Sequence, residues 1–179
     1  AAWQMRSLAA NTEAFSGNIL PSLTLQYRMT LALSALRRWE LRHALADEIG
    51  EMDRIEAEMA NERKTLMDAI ARYEKEMLVD DDDRRGLQET RETAKAYLAV
   101  WDNGERELSR LTATDPSAEK KLKAMLAANL QTFQNAQKAL DGWWQYNEKL
   151  GDRTKLESDA TYVSAKLAMA LLVTASLML

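Results

Sequence analysis

The sequence predicts an all-α protein, an antiparallel up-down-up-down four-helix bundle with long first and last helices. Three observations lead there. Ala and Leu, both strong helix formers, occupy 54 of the 179 positions. Gly and Pro number only six and two, against usual shares of about 7% and 5%, so the turns that a β-sandwich or a βαβ fold needs are missing. Apolar residues recur at threes and fours in four stretches, and turn signals separate the stretches.

The first helix is predicted over 3–46, carried by Leu8, Phe15, Ile19, Leu23, Leu33, Leu36, Leu41 and Leu45. Gly17 and Pro21 interrupt it; Pro21 lacks an N–H and either kinks the helix or begins its main segment. Past Gly50 a second helix, 51–78, repeats through Met52, Ile55, Met59, Leu66, Ile70, Tyr73 and Met77. The run Asp80–Asp83 with Gly86 ends it. That run is expected to be a solvated loop, because it lacks the alternating acidic spacing and the twelfth-place glutamate of a calcium loop. A third helix, 84–111, keeps a strict 3-4 rhythm through Leu87, Thr90, Ala94, Tyr97, Trp101, Gly104, Leu108 and Leu111. Such a period implies left-handed, coiled-coil-like packing. The fourth helix, 117–179, opens at Asp115-Pro116, where Asp115 or Thr114 caps and Pro116 takes the first helical position. Unbroken, it would reach about 95 Å, whereas each middle helix reaches only about 40 Å. The outer pair is therefore expected to project beyond the inner pair on one side.

Composition excludes several functional classes. With no Cys there is neither a disulfide framework nor a thiolate metal site. A net charge of −4 offers no basic field for a phosphate backbone, so nucleic acid is not an expected partner. After Lys166 the chain reads LAMALLVTASLML, an uncharged run shorter than the roughly 20 residues a membrane span needs. It reads either as a buried C-terminal helix or as the start of a truncated second membrane helix. The second reading divides the chain into a four-helix domain, 1–166, and a membrane segment, 167–179. AAWQMRS at the other end has no basic n-region or apolar h-region, so it is not a signal peptide and reads as an excised start.

The candidate chemistry lies in RRWELRH, which holds Arg37, Arg38, Arg42 and His43. Arg38 and Arg42 are four apart and face the same way, so their charges repel unless something compensates. The bland reading is a solvated face with Glu40 and distant acidic partners. The functional reading is an anion clamp, since guanidinium forks bind carboxylates bidentately; two such arginines suit a di- or tricarboxylate. On the fourth helix Asn129, Gln131, Thr132 and Gln134 form a polar patch able to complete a site opposite the arginines. Trp143, Trp144 and Tyr146 could stack on an aromatic ligand, but their helical spacing fits core and interface better. Glu40 and His43 match the Glu-x-x-His signature of di-iron bundles, yet His43 is the only histidine and one chain cannot repeat the motif. The same scarcity argues against Ser-His-Asp and Cys-His catalysis. No glycine loop for phosphates is present. No cofactor and no enzymatic activity are expected.

The strings NERKTLMDAIARYEKEM, NEKLGDR and ATYVSAKLAMALLV, set in this layout of two long outer and two shorter inner helices, resemble the periplasmic ligand-binding domain of bacterial methyl-accepting chemotaxis receptors of the aspartate and serine type. The resemblance implies a chemoreceptor sensor domain in the periplasm, anchored in the inner membrane through its flanking helices. It implies a homodimer, with higher oligomers open, whose site is shared between two first helices, and a ligand-driven shift of the last helix along the membrane normal. It puts Arg38 and Arg42 on two of the family's three ligand-binding arginines, with Arg37 adjacent, and Leu33 where the third would stand. Asn129 falls where the family has a threonine, with Met125 and Ala127 nearby and Thr132 one turn on. Arginines kept beside an altered amine pocket favour malate, succinate or citrate over an α-amino acid. Aromatic-acid sensing, amino-acid sensing and a structural helical adaptor remain the alternatives.

Overall fold

The computed structural model describes the backbone of residues 2–177 and the side chains of 3, 6, 7 and 9–170. Helix accounts for 93% of the chain, and no strand occurs among the described residues. Helix α1 spans Ala2–Ala14 and passes through a wide π-type turn, Phe15–Ile19, into α2, Leu20–Ala44. Helix α3 spans Ile49–Glu76 and α4 spans Asp81–Val100. A five-residue break, Trp101–Glu105, leads into α5, Arg106–Thr112; a 3-10 turn, Pro116–Ala118, then opens α6, Glu119–Leu177. The wide turn sits on Gly17 and ends two residues before Pro21, where the missing N–H leaves a carbonyl without its usual partner. Pro21 is thus absorbed, and the first stretch stays helical throughout.

The chain forms two compact units, one made of Ala1–Thr24 and Gln145–Leu179, the other of Leu25–Trp144. In the first unit Ile19 is buried beside Gly151, where an added Cβ would come within 3.3 Å of it. Residue 166, the boundary suggested by charge, falls inside α6. The side chains of the apolar run from 171 onward lie outside the described residues. No helix among the described residues is long and apolar enough to cross a membrane.

In the second unit four helical stretches pack against each other. Their apolar stripes supply Met29, Leu33 and Leu36 from α2, Met52, Leu66, Ile70 and Tyr73 from α3, Leu87 and Ala94 from α4, and Ala136 and Leu140 from α6. The Asp80–Asp83 run is not the solvated loop its charge suggested. Asp80 caps α4 by accepting from the backbone N–H groups of Asp82 and Asp83, both at 2.9 Å, as expected of a carboxylate at a helix start. Asp83 is fully buried. Its Oδ1 accepts from the Tyr73 hydroxyl at 2.8 Å and the Trp143 indole N–H at 2.6 Å, and its Oδ2 from the Val79 N–H at 3.2 Å. One carboxylate thereby ties α3, α4 and α6. Gly86 completes the joint, since a Cβ there would lie 2.4 Å from the Trp143 ring.

The third predicted helix keeps its rhythm only as far as the break. Asn103 (φ −94°, ψ 22°) and Gly104 (φ 133°) leave helical geometry, the latter in a region that glycine adopts readily. The Arg106 N–H reaches back five residues to the Trp101 carbonyl. One additional residue turns a helix by about 100°, so the inward positions change. Gly104, Leu108 and Leu111 were expected inside; instead Glu105 and Ser109 are buried, and Leu111 is 45% exposed.

Removing the Asp83 carboxylate takes away the acceptor that the buried Tyr73 hydroxyl and Trp143 indole share. Asp83→Ala should lower stability by about 3–5 kcal/mol in urea titrations, against less than about 1 kcal/mol for the exposed Asp81→Ala. Gly86→Ala should lose about 1–3 kcal/mol through overpacking against Trp143.

Candidate functional site

The positions of α2 between Arg37 and His43 divide between two environments. Arg37, Glu40 and His43 recur at intervals of three and turn inward; Arg38, Leu41 and Arg42 are exposed. The inward set meets the displaced face of α5. Glu40 Oε1 accepts from Arg37 at 2.6 Å and from Asn129 Nδ2 at 2.9 Å, and its Oε2 accepts from the Tyr97 hydroxyl at 2.5 Å. The same Asn129 nitrogen donates to Glu105 Oε2 at 2.9 Å. Arg37 also donates to the Leu126 carbonyl at 3.2 Å and lies 5.9 Å from the Phe133 ring centre. Thr132 donates to the Asn129 carbonyl and to its side-chain oxygen, which fixes the amide with its nitrogen towards the two carboxylates.

The electrostatics of this cluster are unequal. Burial, reinforced by the neighbouring Glu40 carboxylate, pushes the Glu105 carboxyl up to about 9, while Asn129 and Arg37 pull weakly the other way. Burial and the Glu40 charge likewise raise Tyr97, so its hydroxyl stays protonated as a donor.

One helical turn further along α2, His43 is fully buried. Its Nδ1 lies 2.7 Å from Ser109 Oγ and its Nε2 lies 3.1 Å from Glu56 Oε1. Burial lowers His43 and keeps the ring neutral at pH 7. A carboxylate only accepts, so Nε2 carries the proton and Ser109 donates to Nδ1. Burial raises Glu56, but hydrogen bonds from Arg106, Arg110 and His43 outweigh it and hold the carboxyl at about 2. Arg106 reaches Glu56 at 2.6 Å, and Arg110 bridges Glu56 and Asp53 at 2.7 Å each. A serine, a histidine and a carboxylate are thus lined up, with Ser109 buried at 1% exposure. Glu40 and His43, the Glu-x-x-His pair, bond to separate partners, and no group of three acidic or histidine side chains able to hold a metal occurs among the described residues.

The five residues singled out from the sequence therefore fall in two places. Arg37, Asn129 and Thr132 come together inside, bonded to protein groups. Arg38 and Arg42 lie on the outer side of α2. Arg38 is exposed and carries no ion pair among the described residues. Arg42 pairs with Glu51 at 3.0 Å and sits 5.4 Å from the Trp39 ring centre, which offsets the repulsion expected between the two arginines. Arg42, Trp39, Glu51, Arg54 and Glu58 line an open groove of about 340 Å³. Glu105, Tyr97, Glu56 and Ser109 escaped sequence reasoning. Tyr97 was read as an apolar heptad position, Glu105 and Ser109 turn inward only with the break in register, and Glu56 of α3 is met by Arg106 and Arg110 from the segment beyond it.

Stability should fall on the acid side. Glu56 is lower in the folded chain than in the unfolded one, so its stabilisation is present above about pH 4.5 and is lost as pH drops towards 2. His43, also lowered, adds a loss below about pH 6.5. Denaturant titrations at pH 3, 4 and 5 should show the Glu56 decline. Glu56→Gln should be about 1–3 kcal/mol less stable at pH 7 with a flatter acid limb; an unchanged acid limb would sink the assignment. Compared with known proteins, the chain matches no protein-family model and no curated protein, and its own side-chain geometry carries the functional reading.

Proposed function

We propose that the chain is the periplasmic sensor domain of a bacterial chemotaxis receptor of the methyl-accepting type, an antiparallel up-down-up-down bundle that binds a small di- or tricarboxylate such as malate, succinate or citrate. The order of contacts supports the alternation. Along α3 and the α4–α5 stretch, Glu56 meets Arg110, Arg63 meets Asp102 and Tyr73 meets Asp83, as antiparallel neighbours would. Trp143 with Asp83 and Asn129 with Glu105 give the same sense for α6.

A single observation carries the ligand reading: the outer side of α2 has a second, exposed stripe. Tyr27, Leu31, Leu41 and Leu45 are 55%, 48%, 41% and 82% exposed, and with Ser34 and Arg38 they follow spacings of 4, 3, 4, 3 and 4. This is a heptad-spaced stripe left exposed among the described residues. A second copy of α2 is the self-complementary element that fits it, and a homodimer built so places Arg38 of both chains in the joint with Arg42 and Trp39 beside it. Guanidinium groups brought together from two subunits require an anion between them, and a multiply charged carboxylate supplies it. The apolar run 167–179 then continues into the inner membrane, and α6 carries the signal. Binding rather than catalysis is the proposed activity, because Ser109 is buried and the open groove holds charge without a nucleophile.

At about 100 times Kd a ligand adds about 2.7 kcal/mol, or roughly 5–10 °C in melting temperature at this chain length. Carboxylic acids screened by thermal melts should include one that does so. Arg38→Ala and Arg42→Ala should each weaken it by at least tenfold in calorimetry, while the melting temperature without ligand holds, because both side chains are exposed and the Arg42–Glu51 pair lies at the surface. Leu31→Glu should shift sedimentation towards monomer and weaken the same ligand. Silence across the acid library, or full affinity in both arginine variants, would remove the proposal.

A further inference from the structure

Two carboxylates, Glu40 and Glu105, lie buried together and share one donor, since Asn129 Nδ2 is 2.9 Å from an oxygen of each. Those two oxygens are no further apart than twice that distance. One guanidinium, Arg37, reaches the cluster, and it bonds to Glu40. The other neighbours bring no positive charge. Tyr97 donates to Glu40 from α4, and α6 supplies the uncharged Asn129 and Thr132. On α3 the nearby charges are engaged elsewhere, Glu56 by Arg106 and Arg110 and Arg63 by Asp102. His43 of α2 is neutral and faces Ser109 and Glu56. Two carboxylates against one cation leave an excess negative charge away from water, which a low-dielectric interior removes by holding a proton. Glu105 Oε1 is buried with no partner among the described residues, and it is the oxygen left to carry that proton.

The second observation is the conflict between pattern and register in the same segment. An uninterrupted helix would turn Leu108 and Leu111 inward, following the rhythm of Leu87, Thr90, Ala94 and Tyr97. The observed break turns Glu105 and Ser109 inward and leaves Leu111 45% exposed. The two registers are one residue apart, about 100° of rotation, and only one of them needs a neutral Glu105.

We infer that the Glu40–Glu105 pair is a one-proton site that sets the register of the segment after Val100. With the proton bound, Glu105 and Ser109 face inward. When the proton leaves to solvent, the two carboxylates repel, Glu105 turns out to water, and the uninterrupted register with Leu108 and Leu111 inward takes over. The inference invokes no small-molecule ligand, so it stands or falls separately from the sensor reading.

The absence of cysteine in the chain makes single-cysteine reporters clean. Carbon-13 NMR of the glutamate carboxyl carbons, with the Glu105 signal assigned through Glu105→Gln, reads the proton directly. At pH 7 that signal should stand at the protonated position and move only on the alkaline side; titration in the ordinary range, below about pH 6, overturns the proton site. The register is read by the alkylation rate of Leu111→Cys with iodoacetamide, divided at each pH by that of the exposed Lys120→Cys. The ratio should fall at least tenfold as Glu105 ionises, with helix content unchanged by circular dichroism, and should stay level in a Glu105→Gln background. A level ratio in the parent, a fall accompanied by loss of helix, or the same fall with Glu105→Gln each overturns the inference. Should Glu105→Gln fail to fold, Glu40→Gln replaces it. Removing the neighbouring charge should then bring the Glu105 carbon closer to its ordinary range, and an unmoved midpoint counts against the pair.

Discussion

The helix beginning at Asp81 carries one residue more than a regular turn allows between Trp101 and Glu105, and the two polar networks along the inward face of α2 depend on it. Gly104 at φ 133° permits the wider turn, which an ordinary side chain would strain. Beyond the turn, α5 is rotated by about 100°. That rotation brings Glu105 to Asn129, Ser109 to His43, and Arg106 and Arg110 over Glu56. Wide turns of this kind gather at functional sites, since they aim polar groups inward at the expense of a regular ladder. Here the rotated turn serves two networks at once, and both lie against the same inward edge of α2.

These networks have opposite charge balance. Around Glu56, two guanidinium groups and an imidazole N–H face one carboxylate, and its acidity rises accordingly. Around Glu40 and Glu105, one guanidinium faces two carboxylates, and the acidity of Glu105 falls. Protonation therefore weakens the first network and is required by the second. Stability linked to Glu56 is lost towards acid, whereas stability linked to Glu105, whose value is raised on folding, is fully present below about pH 4.5 and is lost as pH climbs towards 9. The two losses bracket a mildly acidic optimum, without any surface charge having to be invoked.

Much of the fold was legible in the sequence because helix periodicity is a local property. The four stretches and the Pro116 turn follow from apolar spacing and from capping chemistry, and they hold to within a few residues. Three features were not legible, each for a physical reason. Asp83 looks like any member of an acidic run until Tyr73 and Trp143 arrive from other helices to donate to it. The register beyond Val100 looked regular because Trp101, Gly104, Leu108 and Leu111 happen to continue the rhythm; only the backbone geometry at Asn103 and Gly104 breaks it. The candidate arginines were taken as one cluster because they are adjacent in sequence, but adjacent helical positions point in different directions. Arg37 went to the core, and Arg38 and Arg42 to the surface. Glu40, read as an ion-pair partner on a solvated face, became a buried acceptor for groups from three elements.

The division along α2 gives one helix a buried polar edge on one side and an exposed stripe on the other. Residues 37, 40 and 43 step round the inward face at threes, and residues 38, 41 and 42 occupy the outward face. A change in the proton state of the interior cluster acts on Glu40, and Glu40 lies two residues from both Arg38 and Arg42. Because a helix is stiff over a single turn, any displacement of Glu40 against Tyr97 and Asn129 moves the outward arginines with it. Ligand on the outside and proton on the inside would therefore bias the same rigid element, which is the physical requirement for coupling between two sites.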